Sequence, residues 1–149
     1  MNTFRRRLAP VVAACFATLC PVATATPLLS LAGQETTLRD KLDSASSLIL
    51  IVREESELPE AQRLLTMAYA QGQAALILVE LPDSALQTAA IQRAAKRFFR
   101  SELSRNTVHF MDRKESPYSG LKTILLAPER SEPLFQSSAF PKTLPPPAS

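Results

Sequence analysis

Between residues 26 and 149 the sequence contains no cysteine, because Cys15 and Cys20 are the only two in the chain. A segment without thiols forms no disulfide and no zinc–thiolate site, and it offers no cysteine nucleophile. Histidine occurs once, as His109, which excludes two-histidine metal motifs such as H-E-x-x-H within one chain. The sequence therefore predicts no metal site.

Glycine is almost as scarce, with Gly33, Gly72 and Gly120 as the whole set. Loops that cradle phosphates place several glycines at fixed spacing, and neither G-x-G-x-x-G nor a P-loop can be found. A G-x-S-x-G nucleophile elbow is missing as well. The sequence thus predicts no cofactor.

The one long apolar run lies at the amino terminus. Arg5, Arg6 and Arg7 precede an uncharged stretch over residues 8–25 that ends in Ala23-Thr24-Ala25. A basic start, an apolar middle and small residues before the cleavage point are typical of an export signal. The stretch is short for a retained span, which needs about 20 strongly apolar residues. We expect cleavage near Ala25 and a periplasmic or secreted protein.

A lipoprotein signal is the alternative for the same segment, because Val12-Ala13-Ala14-Cys15 resembles a lipobox with Cys15 as the modified residue.

The excess of positive charge also belongs to this segment. The chain has 17 Lys and Arg against 14 Asp and Glu, and the three amino-terminal arginines account for the net charge of +3. Cleavage near Ala25 would leave a neutral chain. Global charge therefore gives no support to nucleic-acid binding.

The remaining chain reads as one α/β domain. Apolar runs predict buried strands over residues 48–52 and 75–79, followed by strands at 108–111 and 121–126. Helical spacing predicts helices over residues 59–71 and 84–103. The alternation favours a mostly parallel sheet of four to five strands flanked by helices. We assign residues 26–36 to an arm, 37–140 to the domain and 141–149 to a disordered, Pro-rich tail.

Two groups of residues are candidates for function. One is a basic helix face that can track phosphates or an acidic partner, although a solvated face is the simpler reading; its members are Arg93, Lys96, Arg97 and Arg100. The other is His109, which we interpret as a buried sheet residue held by a hydrogen bond. A catalytic His109 acting with Asp112 or Glu115 is the alternative.

Residues 38–81 resemble the first half of a phospholipase D-like domain, with its short helix, strand, helix, turn glycine and second strand. Lys122 matches the lysine of the family signature and Ser137 its serine, whereas Gly120 and Ala127 stand where the histidine and aspartate belong. A covalent phosphoryl step needs that imidazole. The resemblance therefore implies a catalytically degenerate domain rather than an active enzyme.

On this basis we expect an exported accessory or binding domain for a protein or a phosphodiester-containing ligand. Compact secreted members of that superfamily pair two chains, which implies a homodimer. The alternatives are a structural component of an envelope or secretion assembly and a phosphodiesterase with a non-standard site. A further alternative for the fold is another parallel α/β architecture, such as a thioredoxin-like one stripped of its cysteines.

Overall fold

The computed structural model describes residues 26–42, 47–101, 106–127 and 132–144. The predicted export signal, with Cys15 and Cys20, lies outside the described residues, as does the end of the predicted tail.

One seven-stranded sheet organises the described residues, in the order β2-β1-β5-β4-β3-β6-β7. Only β3–β4 and β4–β5 are parallel, and the other four pairings are antiparallel. The strands are β1 (Pro27–Ser30), β2 (Glu35–Thr37), β3 (Ser47–Val52), β4 (Ala74–Leu81), β5 (Val108–Asp112), β6 (Thr123–Leu126) and β7 (Phe135–Ser137); the helices are α1 (Leu38–Lys41), α2 (Leu58–Ala70) and α3 (Ala85–Phe98), with 3-10 turns at Glu55–Glu57 and Arg113–Glu115.

The prediction of a mostly parallel sheet of four to five strands was wrong. The loop that joins β5 to β6 contains no crossover helix, so β6 enters the sheet antiparallel to β3. Residues 27–30 and 35–36, assigned to an arm, form a hairpin together with Thr37, and its first strand pairs with β5. These strands have three or four residues each, too few to produce a periodic apolar pattern.

The predicted central strands are confirmed, and their uninterrupted apolar runs reflect burial on both faces. Every residue of β3 is buried. Leu48, Leu50 and Val52 pack with α2 and α3 on one face, whereas Ile49 and Ile51 pack on the other face with Leu38 and Tyr118, among others. Both long helices lie on the same face because the two successive β-α-β crossovers run in the same direction.

The ends of α2 follow from its sequence. Pro59 sits in the first turn, where its missing N–H costs nothing. At the other end the N–H of Gln73 donates to the carbonyl of Ala68, and the N–H of Gly72 donates to the carbonyl of Tyr69. Gly72 has a φ of 72°. This Schellman motif, with Gly72 in the left-handed conformation, ends α2.

Helix α3 begins after Ser84, whose hydroxyl accepts from the N–H of Gln87. It ends at Phe98, short of the predicted residue 103, because the chain turns Phe99 into the core, where it is 2% exposed and packs edge-to-face on Phe98. Arg100 therefore lies beyond the helix end. Among the described residues no helix is long and apolar enough to cross a membrane.

Candidate functional site

The carboxyl ends of the three parallel strands meet at one edge of the sheet and carry charged residues. Arg53 directly follows β3, Glu80 is the penultimate residue of β4, and Arg113 directly follows β5. Ligands of open α/β sheets bind outside this edge. A ligand site is therefore expected at this edge of the sheet.

Glu80 is the centre of this cluster, with its side chain only 2% exposed. Arg53 Nε donates to Glu80 Oε1 at 2.9 Å, and Arg53 Nη2 donates to the carbonyl of Tyr118 at 2.8 Å. Arg113 Nε lies 3.7 Å from the same carboxylate oxygen. One buried carboxylate thus holds two guanidinium groups beside a cleft of about 340 Å³, whose other wall includes Gln87 and Ile91 of α3.

A second ion pair fills the amino-terminal end of α2. Glu57 Oε1 accepts from the backbone N–H groups of Arg53 at 2.7 Å and Glu54 at 3.0 Å, and Lys122 Nζ contacts Glu57 Oε2. Lys122 Nζ also lies 5.5 Å from the centre of the Phe140 ring. Burial raises the pKa of Glu57, but the hydrogen bonds from Lys122 and the two amides outweigh it and hold the pKa below its ordinary value.

The position of this pair has chemical meaning. In a βαβ unit, the helix end that follows a strand is where a Cys-x-x-Cys thiol is activated by the helix dipole. Residues 53–59 read Arg-Glu-Glu-Ser-Glu-Leu-Pro, without cysteine. A carboxylate–ammonium pair, not a thiol, lies at the start of α2.

The structure brings Lys122 and Ser137 together but not into a reactive arrangement. The N–H of Lys122 donates to the carbonyl of Ser137 at 2.8 Å, while the Ser137 hydroxyl accepts from the N–H of Ala139 at 3.1 Å. His109 lies on β5, three strands from β6, which is about 14 Å at the usual strand spacing. The three candidates therefore do not form one site.

His109 is 1% exposed, on the sheet face opposite α2 and α3. Within the described residues its Nδ1 has no hydrogen-bond partner. Burial and, to a smaller extent, the nearby charge of Lys41 lower the pKa of His109 to about 4, against a smaller opposing effect from a hydrogen bond with the backbone of Thr107. Asp112 and Glu115 are exposed, so the alternative of a catalytic His109 paired with either gains no support from the geometry.

This burial predicts a pH dependence of stability. The unfolded chain takes up a proton on His109 near pH 6.5, whereas the folded chain resists it until about pH 4. Above pH 6.5 His109 is neutral in both states and does not affect stability. As the pH falls from 6.5 toward 4, proton uptake by the unfolded chain lowers the free energy of unfolding by about 3 kcal/mol.

We expect urea unfolding at pH 7 and pH 4.5 to show a smaller loss for His109→Leu than for the wild type. Met111→Leu, on the same strand and face, serves as the control and should keep the wild-type loss. An equal loss in His109→Leu and the wild type would contradict this assignment.

The four predicted binding residues form one exposed surface, which we call the α3 basic face: Arg93, Lys96, Arg97 and Arg100. In the described ranges none of them forms an ion pair, and the same holds for Arg39, Lys41 and Lys142. The described cations that do form one are Arg53, Arg63, Arg113, Lys114 and Lys122. Shallow clefts of about 400 and 420 Å³ flank the face. The first is also lined by Leu58 of α2 and the exposed Glu55, and the second by Leu31 of the β1–β2 turn.

Sequence reasoning missed the residues of the strand-edge cluster. A signal was present, because Arg53 and Glu80 each directly follow an apolar run that predicts a buried strand. Charged residues at that position reach the carboxyl edge of a parallel sheet. No group of three or more His, Cys, Asp or Glu among the described residues can hold a metal ion.

The order, direction and crossovers of these strands define a thioredoxin-like fold, and solved structures share it. The exposed lipoprotein thioredoxin Etrx1 of Streptococcus pneumoniae superposes with a TM-score of 0.52 at 14% identity, over 78% of this chain and 90% of that chain. The bacterioferritin comigratory protein of Xanthomonas campestris gives 0.50 at 17% identity, over 78% and 82%. PrxQ of Xylella fastidiosa gives 0.50 at 14% identity, over 83% and 86%.

No protein-family model matches the chain, and no curated protein is significantly similar to it in sequence. The phospholipase D-like resemblance was wrong, since the neighbours are thioredoxin-like and peroxiredoxin structures. The functions inferred with it, namely a degenerate phospholipase D-like accessory domain, an assembly component and a phosphodiesterase, are withdrawn. The alternative of a thioredoxin-like fold is the one that the comparisons support.

Proposed function

We propose that this protein is an exported thioredoxin-like domain that works without thiol chemistry and binds the acidic surface of a protein through the α3 basic face. The observation that carries the proposal is the set of four exposed cations without carboxylate partners in the described ranges.

The first support is the missing thiol. One structural neighbour is described by its alkyl peroxide reduction and another as a thioredoxin, and thiol redox chemistry proceeds through a cysteine thiolate. Residues 26–149 contain no cysteine, and Glu57 and Lys122 are paired at the start of α2. A domain of this composition has no thiol to oxidise.

The second support is the distribution of charge. Residues 26–149 carry as many basic as acidic side chains, yet the α3 basic face gathers four cations on one surface. A local excess of one charge raises the association rate with a surface of opposite sign and selects against surfaces of like sign.

An acidic protein surface fits this face better than a nucleic acid. Binding of single strands adds aromatic side chains on which bases stack. Beside the cations, Phe98 is half-buried and Phe99 is buried. The large exposed aromatic of the described residues is Tyr69, which belongs to α2.

The proposed location is the periplasm or the exterior, after cleavage near Ala25, with β1 to β7 in one domain. The supporting feature is the amino-terminal signal pattern. Lipid attachment at Cys15 is the second candidate, favoured by the lipobox-like Val12-Ala13-Ala14-Cys15.

Intact mass and a thiol assay distinguish the two candidates. We expect the exported protein to begin at Thr26 and to contain no titratable thiol, because both cysteines precede the cleavage point. A protein that partitions with membranes and carries a lipid mass on Cys15 would contradict cleavage at Ala25.

The binding proposal is tested with poly-L-glutamate as the acidic polypeptide and oligo-dT of equal charge as the phosphodiester probe. We expect the purified protein to bind poly-L-glutamate at low salt, with affinity that falls as salt is raised, and to prefer it to oligo-dT. Absence of binding to either probe would contradict the proposal, and a clear preference for oligo-dT would replace it with a phosphodiester-binding function.

A further inference from the structure

The surface that complements the α3 basic face lies on the same molecule. A cleft of about 690 Å³ opens beside β1, β2 and the end of β5, with Leu29, Leu81 and Phe110 among its apolar lining residues. Four acidic residues line it, and we call this surface the acidic cleft: Glu35, Asp40, Asp112 and Glu115.

The four acids are uncompensated in the same way as the four cations. None of them forms an ion pair in the part of the chain that the structure describes, and all four are exposed. Arg39 and Lys41, which flank Asp40 in α1, do not line the cleft. These acids are also not grouped closely enough to hold one metal ion. Carboxylates distributed around an apolar cleft are complementary to several cations on another protein surface rather than to a single ion.

The two charged surfaces lie at opposite ends of the β1–β2 hairpin. Lys96 and Arg100 share a cleft with Leu31 and Ala32 at the hairpin turn, whereas the acidic cleft includes Pro27 and Thr37 at the open end. The two ends are separated by roughly 13 Å, the length of a four-residue strand. One copy therefore cannot place its own basic face in its own acidic cleft, but two copies can dock head to tail.

We propose that the acidic surface bound by the α3 basic face is the acidic cleft of a second copy of this chain. This inference rests on the proposed function and names its partner. The contact is heterologous, so each docked pair leaves one basic face and one acidic cleft open, and further copies can add. Association through exposed charges is expected to be weak and to disappear at high salt.

Sedimentation velocity with two charge-reversed variants tests the inference. The first variant carries Lys96→Glu and Arg97→Glu on the basic face. The second carries Glu35→Lys and Glu115→Lys in the cleft, which spares Asp112, whose carboxylate caps the following 3-10 turn, and Asp40, which accepts from Thr36. Unchanged thermal midpoints will show that both variants fold.

At low salt we expect the sedimentation coefficient of the wild type to rise with concentration and to become constant in about 0.5 M salt. Each variant alone should need a concentration at least about tenfold higher to associate. An equimolar mixture of the variants should associate again, because the intact basic face of the second meets the intact cleft of the first. A wild type that stays monomeric at low salt, or a mixture that stays monomeric, would overturn the inference.

Binding to poly-L-glutamate distinguishes failure of the self-docking inference from failure of the proposed function. A monomeric wild type that still binds the polymer would overturn self-docking and leave the binding proposal standing. A wild type that neither associates nor binds the polymer would overturn both. The cleft variant should bind poly-L-glutamate at least as well as the wild type, since its basic face is intact.

Discussion

Glu80→Gln is expected to lower the free energy of unfolding by about 3 kcal/mol. The substitution removes the shared carboxylate and leaves the guanidinium groups of Arg53 and Arg113 beside each other without a counter-charge. Breaking a buried ion pair by removing one partner typically costs about 3–5 kcal/mol. The lower end applies because the Arg53 side chain is 21% exposed and the Arg113 side chain 45%, so solvent compensates part of the loss.

Chemical denaturation at pH 7 measures this cost, with Glu60→Gln as the matched control. Glu60 pairs with Arg63 at the surface of α2, where both side chains are more than two-fifths exposed. Its replacement should leave the free energy of unfolding nearly unchanged, since surface pairs contribute little. Equal stability of the two variants would show that the strand-edge cluster does not hold this part of the fold together.

Neutralising the α3 basic face by changing all four residues to glutamine is expected to weaken the binding of poly-L-glutamate at low salt by about 30-fold. Four exposed ion pairs, at a central value of roughly 0.5 kcal/mol each, amount to about 2 kcal/mol, which corresponds to that ratio. Folding should not change, because none of the four side chains pairs with a carboxylate in the described ranges. Isothermal titration calorimetry measures the affinity.

A matched pair of double variants distinguishes the effect of the α3 basic face on binding from the effect of net charge. Lys96→Gln with Arg97→Gln removes two charges from the α3 basic face, and Arg39→Gln with Lys142→Gln removes two exposed charges elsewhere. Only the first pair should weaken binding strongly. Equal losses would mean that the polymer responds to total charge and not to this face.

The central strands and long helices could be predicted because each carries a pattern long enough to be specific. The run Leu48-Ile-Leu-Ile-Val52 shows no alternation since β3 is buried on both faces, and Gly72 marks the end of α2. The edge strands could not be predicted, because three or four residues such as Glu35-Thr-Thr37 contain too few positions for a periodicity. Their pairing is decided by contacts with β5 and β6 that are remote in sequence.

The family resemblance failed for a physical reason. The succession of strand, helix, turn glycine and strand recurs in many α/β folds, because every such fold buries apolar strands beneath amphipathic helices. Lys122 was matched to the lysine of the family signature, yet its ammonium group is paired with Glu57, a residue distant in sequence. The basic helix face could be identified from spacing alone, since i, i+3, i+4 and i+7 fix one side of a helix whatever the fold. Arg100 departs from this pattern because α3 ends two residues before it.

The most direct test of the account is the affinity of the purified wild-type protein and of the four-glutamine variant for poly-L-glutamate at low salt, each measured before and after alkylation with iodoacetamide. We predict that alkylation leaves the wild-type affinity unchanged and that the variant binds about 30-fold more weakly under both conditions. A wild-type affinity abolished by alkylation, or a variant that binds as tightly as the wild type, would contradict a thiol-free binding function centred on α3.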